Sequence, residues 1–166
     1  MLPLAVFPIA MFFGALWDLT TMTIPNRLTI ALAAAFLLLA PLAGLSLQQM
    51  GLHVAAGLAV LVVSMALFGM GWIGGGDAKF VAVIALWIGW NDLLAYLLIA
   101  ALAGGALTLL LLFFRGLPLP EFLFRRAWIA RLHDRSAGVP YSIALAAAGL
   151  VVFPKTIWIE LAVSAA

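Results

Sequence analysis

Residues 28–76 read LTIALAAAFLLLAPLAGLSLQQMGLHVAAGLAVLVVSMALFGMGWIGGG and contain no Asp, Glu, Lys or Arg. At ~1.5 Å per helical residue these 49 positions reach roughly 73 Å, enough to cross a ~30 Å hydrocarbon core twice with a turn between the crossings. The turn is legible, because Pro41, Gly44, Ser46, Gln48 and Gln49 gather in the middle, where breakers and polar residues belong. The stretch predicts one helix over 27–43 and another over 51–70.

The same reasoning extends to both sides. Residues 1–17 carry no charge, and they lack the basic n-region and small-residue cleavage site of a signal peptide. They read as a retained first helix over 2–17. Residues 93–114 (LLAYLLIAALAGGALTLLLLFF) are long enough to span, and a last helix is expected over 139–155. Residues 80–91 (FVAVIALWIGWN) are short. A helix over 77–91 reaches only about 22 Å, so the loop before it is expected to dip below the membrane surface. Non-helical backbone is tolerated at that depth only when packed in protein or lining a wet cavity. A re-entrant 80–91 segment would reduce six crossings to five.

Composition fixes the solvent. Apolar residues make up 67% of the chain and charged residues 8%, with a mean hydropathy of +1.28. Too little polar surface remains for a water-soluble domain, a disordered chain or a nucleic-acid binder. The pI near 9.5 rests on only eight Lys+Arg against six Asp+Glu. With no cysteine, disulfides, a thiol nucleophile, Cys-bound zinc and Fe–S clusters are excluded. The apolar runs are continuous, unlike the alternating strands of a membrane barrel. The expectation is an all-α polytopic membrane protein of about six helices, forming one domain over 1–166 with membrane lipid around it.

Lys and Arg set the orientation. Arg27, Lys79, Arg115, Arg125, Arg126, Arg131 and Arg135 fall in connections on one side, and only Lys155 on the other. The rich side is expected to be cytoplasmic, with both termini outside. The connection over 115–138 interleaves five arginines with Phe, Leu, Trp and Ile. It reads either as a solvated topogenic loop or, from Glu121 to Arg135, as an amphipathic helix at the inner headgroups.

Two acids stand out against this background. Asp18 ends the first helix and Asp77 starts the fourth, so the topology brings both to the cytoplasmic ends of helices. Ionisable groups at that depth are costly and mark candidate functional sites. Asp77 follows Gly74, Gly75 and Gly76, which allow close approach and positive φ. Asp77 could also be a plain helix cap, and Asp18 a simple helix end. Asp18 is followed by Ile24-Pro25-Asn26, where Pro25 restricts Ile24 and Asn26 can cap the second helix. Two neighbouring carboxylates cannot both stay ionised, so they can share a proton and activate water. Such chemistry needs no metal and no cofactor. Asp92 reads as solvated, and His53 as an interfacial residue far from the pair. His133-Asp134 lacks a nucleophile to serve, and Trp17, Trp72, Trp87 and Trp90 read as interfacial belt residues.

Gly74-Gly75-Gly76-Asp77 fits the G-x-G-D motif of polytopic membrane aspartic proteases, and Lys79 extends it to G-x-G-D-x-K. Asp18 with Ile24-Pro25-Asn26 resembles the first-aspartate motif of the type IV prepilin peptidases. The resemblance runs from the first helix to Pro140-Tyr141. The short chain resembles the subfamily that processes Flp-type, or tight-adherence, pilins. The resemblance implies a bacterial inner-membrane endopeptidase that cuts the basic leader from the apolar helix of a prepilin at the cytoplasmic face. Asp18 and Asp77 would be catalytic; Gly74, Gly75, Gly76, Lys79, Pro25 and Asn26 would shape the site or meet substrate. Larger relatives carry an N-terminal insertion with paired cysteines and methylate the new N-terminus. This chain lacks both features, so methylation is not expected. The competing expectation is a small transporter or channel subunit using Asp18 and Asp77 as proton or cation sites. A non-catalytic scaffold would leave both motifs unexplained.

Overall fold

The structure is a computed structural model that describes residues 2–164. These residues form helices and turns without a strand: α1 (Leu2–Thr21), α2 (Asn26–Leu42), α3 (Leu47–Gly69), α4 (Gly75–Ile88), α5 (Leu93–Phe114), α6 (Glu121–Phe124), α7 (Ala127–His133), α8 (Ser142–Val152) and α9 (Ile157–Ser164). The chain is an all-α polytopic membrane protein. Among the described residues α1, α3 and α5 are each long and apolar enough to cross a membrane, and α8 with its 3-10 extension and α9 forms a fourth such unit, bent by 42°.

The α2–α3 turn follows from its residues. Gly44, at φ +90°, ends α2, where the Gly44 and Leu45 amides bond back to Pro41 and Ala40. Ser46 and Gln49 then form a reciprocal capping box at the start of α3. Gly71 ends α3 the same way at φ +76°, with its amide on Phe68 and that of Trp72 on Leu67. The left-handed glycine of this segment is therefore Gly71. Gly75 and Gly76 lie inside α4, and Gly74 precedes it with φ −71°.

Helix α4 is the axis of the molecule. Its residues Ala78, Phe80, Ala82, Val83, Ile84, Ala85, Trp87 and Ile88 are buried, and α2, α3 and α8 pack around it. Glycines on three neighbours let it come close. A Cβ built on Gly57 of α3 would lie 3.0 Å from Leu86 Cβ; one on Gly149 of α8, 3.2 Å from Ile84 Cγ2; one on Gly14 of α1, 2.7 Å from Phe80 Cζ. Small residues at such contacts replace the hydrophobic drive that lipid does not supply. At 14 residues, about 21 Å, α4 is shorter than the hydrocarbon core, and its neighbours cover it instead of lipid.

The ends alternate. The start of α1, the end of α2 and α9 meet around Pro3, Ala43 and Trp158. The starts of α3, α5 and α9 meet the end of α4 around His53, Gly89, Asp92 and Ile157. The opposite end gathers Asp18, Arg27, Asp77, Lys79 and the α6–α7 segment, tied by bonds from Lys79 Nζ to Asn26 Oδ1 and from Arg131 Nη1 to the Thr20 carbonyl, both 3.0 Å. Helix α4 starts at the end that holds the two acids and finishes beside His53, enclosed by α2, α3 and α8. Gly75 packs on Phe68, one residue before the end of α3, whereas Gly89 packs on His53, six residues inside its start. Measured along α3, α4 therefore stops about six residues short of the start of that helix.

Helix α1 runs four residues past 17, so Asp18 sits inside its last turn. Residues 115–138 hold two short helices, not one amphipathic helix from Glu121 to Arg135. The last expected helix, 139–155, is shorter, and α9 follows it. His53 is not interfacial; it is buried, stacked on Phe36, and its Nδ1 donates to the Leu86 carbonyl at 2.8 Å. Trp87 is likewise buried, its Nε1 donating to the Leu32 carbonyl, whereas Trp17, Trp72 and Trp90 are exposed.

Gly89 combines φ +84° with His53 atoms 2.6 Å from any added Cβ, whereas Gly105 has open space there. Gly89→Ala is expected to destabilise the fold by about 1–3 kcal/mol, and Gly105→Ala to change it little. Thermal unfolding in detergent measures both.

Candidate active site

Asp18 and Asp77 come from helices that run in opposite senses and meet at one end of the bundle. Asp18 is 5% exposed. Its Oδ2 accepts the Ser142 N–H at 3.3 Å, at the start of α8, and Ser142 Oγ lies 3.4 Å from the Gly14 carbonyl, a turn back along α1. The start of α8 therefore holds the Asp18 carboxylate from one side. A helix N-terminus with its unpaired amides suits a negative charge.

Asp77 is the third residue of α4, half-buried, and within electrostatic reach of Asp18. It is not the cap of α4; that position is Gly74, and no side chain caps it. Among the described residues the Asp77 carboxylate makes no side-chain hydrogen bond, so it is free to meet a ligand. The three glycines before it have separate duties. A Cβ on Gly74 would lie 3.1 Å from Asp77 Oδ2, one on Gly75 3.1 Å from the Phe68 ring, and one on Gly76 3.3 Å from Ile24 Cβ. Each added methyl would press on the carboxylate itself, on α3 or on the loop after Asp18.

Pro25 and Asn26 reach the site indirectly. Pro25 is the cap position of α2, and Asn26 is its first helical residue. The expected Asn26 cap does not form. Its Oδ1 instead accepts from Lys79 Nζ, which ties the loop after Asp18 to α4 two residues past Asp77. No ion pair joins Lys79 to Asp77 among the described residues. Lys79 thus fixes the two motifs against each other rather than pairing with the acid. Met22, at φ +56°, turns the chain in that loop, and its amide bonds to the Asp18 carbonyl at 2.7 Å.

A groove of about 520 Å³ opens beside Asp77, between α3 and α5. Val60, Val63, Leu67, Val81, Leu97 and Leu145 line it, and among the described residues Asp77 is its one charge. Trp72, 73% exposed, stands at its mouth. Ser64 and Tyr141 add the remaining polar groups. Ser64 Oγ lies 3.0 Å from the Ala78 carbonyl and joins α3 to the first turn of α4. Tyr141 Oη lies 3.1 Å from Thr108 Oγ1, and its ring packs against Gly104. A second groove of about 370 Å³ lies between α2 and α3, with Lys79 as its charge.

Two polar residues of this region, Ser64 and Ser142, carried no signal in the sequence. A lone hydroxyl in an apolar run looks the same whether it touches a carboxylate or a carbonyl in its own helix. Asp92, at the start of α5, and His53 lie at the other end of the bundle from the two acids. Asp134 lies outside the spanning helices. There the amide and hydroxyl of Ser136 donate to its Oδ1 and hold its carboxyl below its usual range.

The family model of the type IV leader peptidase family matches residues 5–109. That stretch holds Asp18, the loop to Asn26, the glycines and Asp77, and three of the groove walls. No curated protein and no solved structure matches the chain.

Ser64→Ala removes the side-chain link between α3 and the turn that carries Asp77. It is expected to lower stability by about 1 kcal/mol, read as a fall in the midpoint of thermal unfolding in detergent. An unchanged midpoint would mean that the Ser64 hydroxyl adds nothing to the junction.

Proposed function

The chain belongs to the type IV leader peptidase family, and on that footing we propose that it is an aspartic prepilin peptidase whose catalytic pair is Asp18 and Asp77. Its substrates are type IV prepilins of the Flp kind. The bond cut joins the basic leader to the apolar helix. The reaction takes place at the cytoplasmic face of the bacterial inner membrane, within one protease domain over 1–166. The observation that carries this reading is the placement of two acids, 59 positions apart in the chain, within electrostatic reach of each other at one end of the bundle, beside an apolar groove.

The division of labour follows from the surroundings of each acid. Asp77 faces the groove and lacks a side-chain hydrogen bond, so it is the carboxyl that meets the scissile carbonyl. Asp18, fixed by the Ser142 amide, completes the pair. One carboxylate takes a proton from water while the other, protonated, donates a hydrogen bond to the carbonyl. The water attacks, and the proton passes to the leaving amine. Positioning supplies much of the rate, because the reacting groups are held before substrate arrives. The groove containing Asp77 suits the apolar helix that follows the cut. The groove on the Lys79 side offers no acid to the same helix.

The orientation rests on charge. Seven of the eight basic residues lie at the end that holds the two acids, and Lys155 lies at the other. The positive-inside rule makes the first end cytoplasmic. Six crossings follow if α2 and the enclosed α4 count as spans along with α1, α3, α5 and the bent α8–α9 unit.

Carboxylates that act as a unit fail together. Asp18→Asn and Asp77→Asn are each expected to lower leader cleavage by at least about a thousand-fold while the protein still inserts. Asp92→Asn, at the opposite end, is expected to cleave normally. Co-expression with small pilin precursors, scored by a leader-sized mobility shift, measures all three. Normal processing by either of the first two variants would remove the assignment.

In this account the hydrolysis needs no metal, thiol or methyl donor. Purified enzyme in lipid should cleave a precursor with chelator present, at an unchanged rate. Its rate should follow a bell-shaped pH curve, because one carboxyl must be charged and the other protonated, with both apparent constants belonging to the pair. Loss of activity on chelation, restored by zinc, would contradict the mechanism.

A further inference from the structure

The α6–α7 segment takes no part in the chemistry above, yet it is firmly seated. Arg115 follows α5 and is buried; its Nε and Nη2 donate to the carbonyls of Leu132 and Gly138, both at 2.8 Å. The His133 ring stands edge-on to Phe114, the last residue of α5, and to Phe124. Its Nε2 donates to the Leu117 carbonyl at 2.9 Å. On the other side Arg131 donates to Thr20, in the last turn of α1. The segment is thus bound to the ends of two membrane-length helices. Those ties hold it beside the ends of α5 and α1.

Its free face is mixed. Leu117, Phe122, Phe124 and Trp128 are exposed, with Phe122 at 69%. Arg125, Arg126 and Arg135 are exposed among them. Residues 117–135 hold four arginines against two acids, Glu121 and Asp134. Glu121 meets Arg125 only at 3.9 Å with both side chains in the open, a contact too weak to neutralise the face. Asp134 already accepts from Ser136. Exposed aromatic rings interleaved with exposed arginines beside those helix ends fit a bilayer interface, and the excess of cations fits anionic headgroups rather than neutral ones.

We propose that the face of residues 117–135 is a binding surface for anionic phospholipid, with Phe122 and Trp128 entering the bilayer edge and Arg125 and Arg126 holding lipid phosphates. It does not depend on the peptidase reading. Because Arg131 grips the α1 turn two residues beyond Asp18, lipid held on this face steadies the end of α1 that carries that acid.

The chain has no native cysteine, so Phe122→Cys or Trp128→Cys gives a single labelling site in the full-length protein. A spin label at either position reports its depth through collisions with oxygen, which prefers lipid, and with a water-soluble nickel chelate. The protein is placed in nanodiscs of phosphatidylcholine alone or with about one third phosphatidylglycerol. The expected result is a label that enters the lipid when phosphatidylglycerol is present and returns toward water without it. Adding Arg125→Gln and Arg126→Gln should shift that equilibrium toward water by roughly five-fold for each arginine removed. Three results would overturn the proposal: a label in water in both lipids, a label equally deep in both, or a label shielded from both reagents because another protein copy covers the face.

Discussion

The close packing of α4 on its neighbours sets the rest of the structure. The helix is too short to stand in lipid by itself, so its length has to be covered by protein. Gly14, Gly57 and Gly149 on three surrounding helices make the cover tight, because a side chain at any of them would meet α4 at or inside contact distance. The same principle operates at its first turn, where Gly75 and Gly76 admit Phe68 and Ile24. This packing brings the loop after Asp18 against the turn that carries Asp77. Without it the two acids would be separate charges at the ends of separate helices.

The two carboxylates then differ by what surrounds them. Asp18 is enclosed and held by an amide at the start of α8. Asp77 borders an open apolar groove. One acid is fixed and the other is accessible, an arrangement that suits the proposed catalytic pair. Lys79 joins α4 to the start of α2 through Asn26. The Ser142 link explains why α8, which lies outside the family match at residues 5–109, still belongs to the site.

Much of the fold was legible in the sequence because lipid imposes a simple rule: charge is excluded and length is counted. The uncharged run 28–76 gave two helices, and Gly44, Ser46 and Gln49 form the turn their types suggest. Both acids were visible as exceptions in an apolar chain. Other features were not visible. Gly71, not Gly74–Gly76, takes the left-handed turn, since spacing alone cannot say which of four glycines ends a helix. Asn26 serves Lys79 instead of capping α2, because a partner 53 positions away leaves no local pattern. The bend before α9 and the inward placement of His53 depend on tertiary packing around Trp87 and Trp158. Ser142 could be tied to Asp18 only once α8 was seen beside α1.

The claim at the centre of this account is that Asp18 and Asp77 act as one unit in hydrolysis. A double-mutant cycle of leader cleavage, with purified Asp18→Asn, Asp77→Asn and the double variant compared at one pH, tests it most directly. Groups that work together are not additive, so the account predicts that the double variant is no slower than either single one, all three lying at the same residual rate. Losses that multiply in the double variant would show two independent contributions and contradict it.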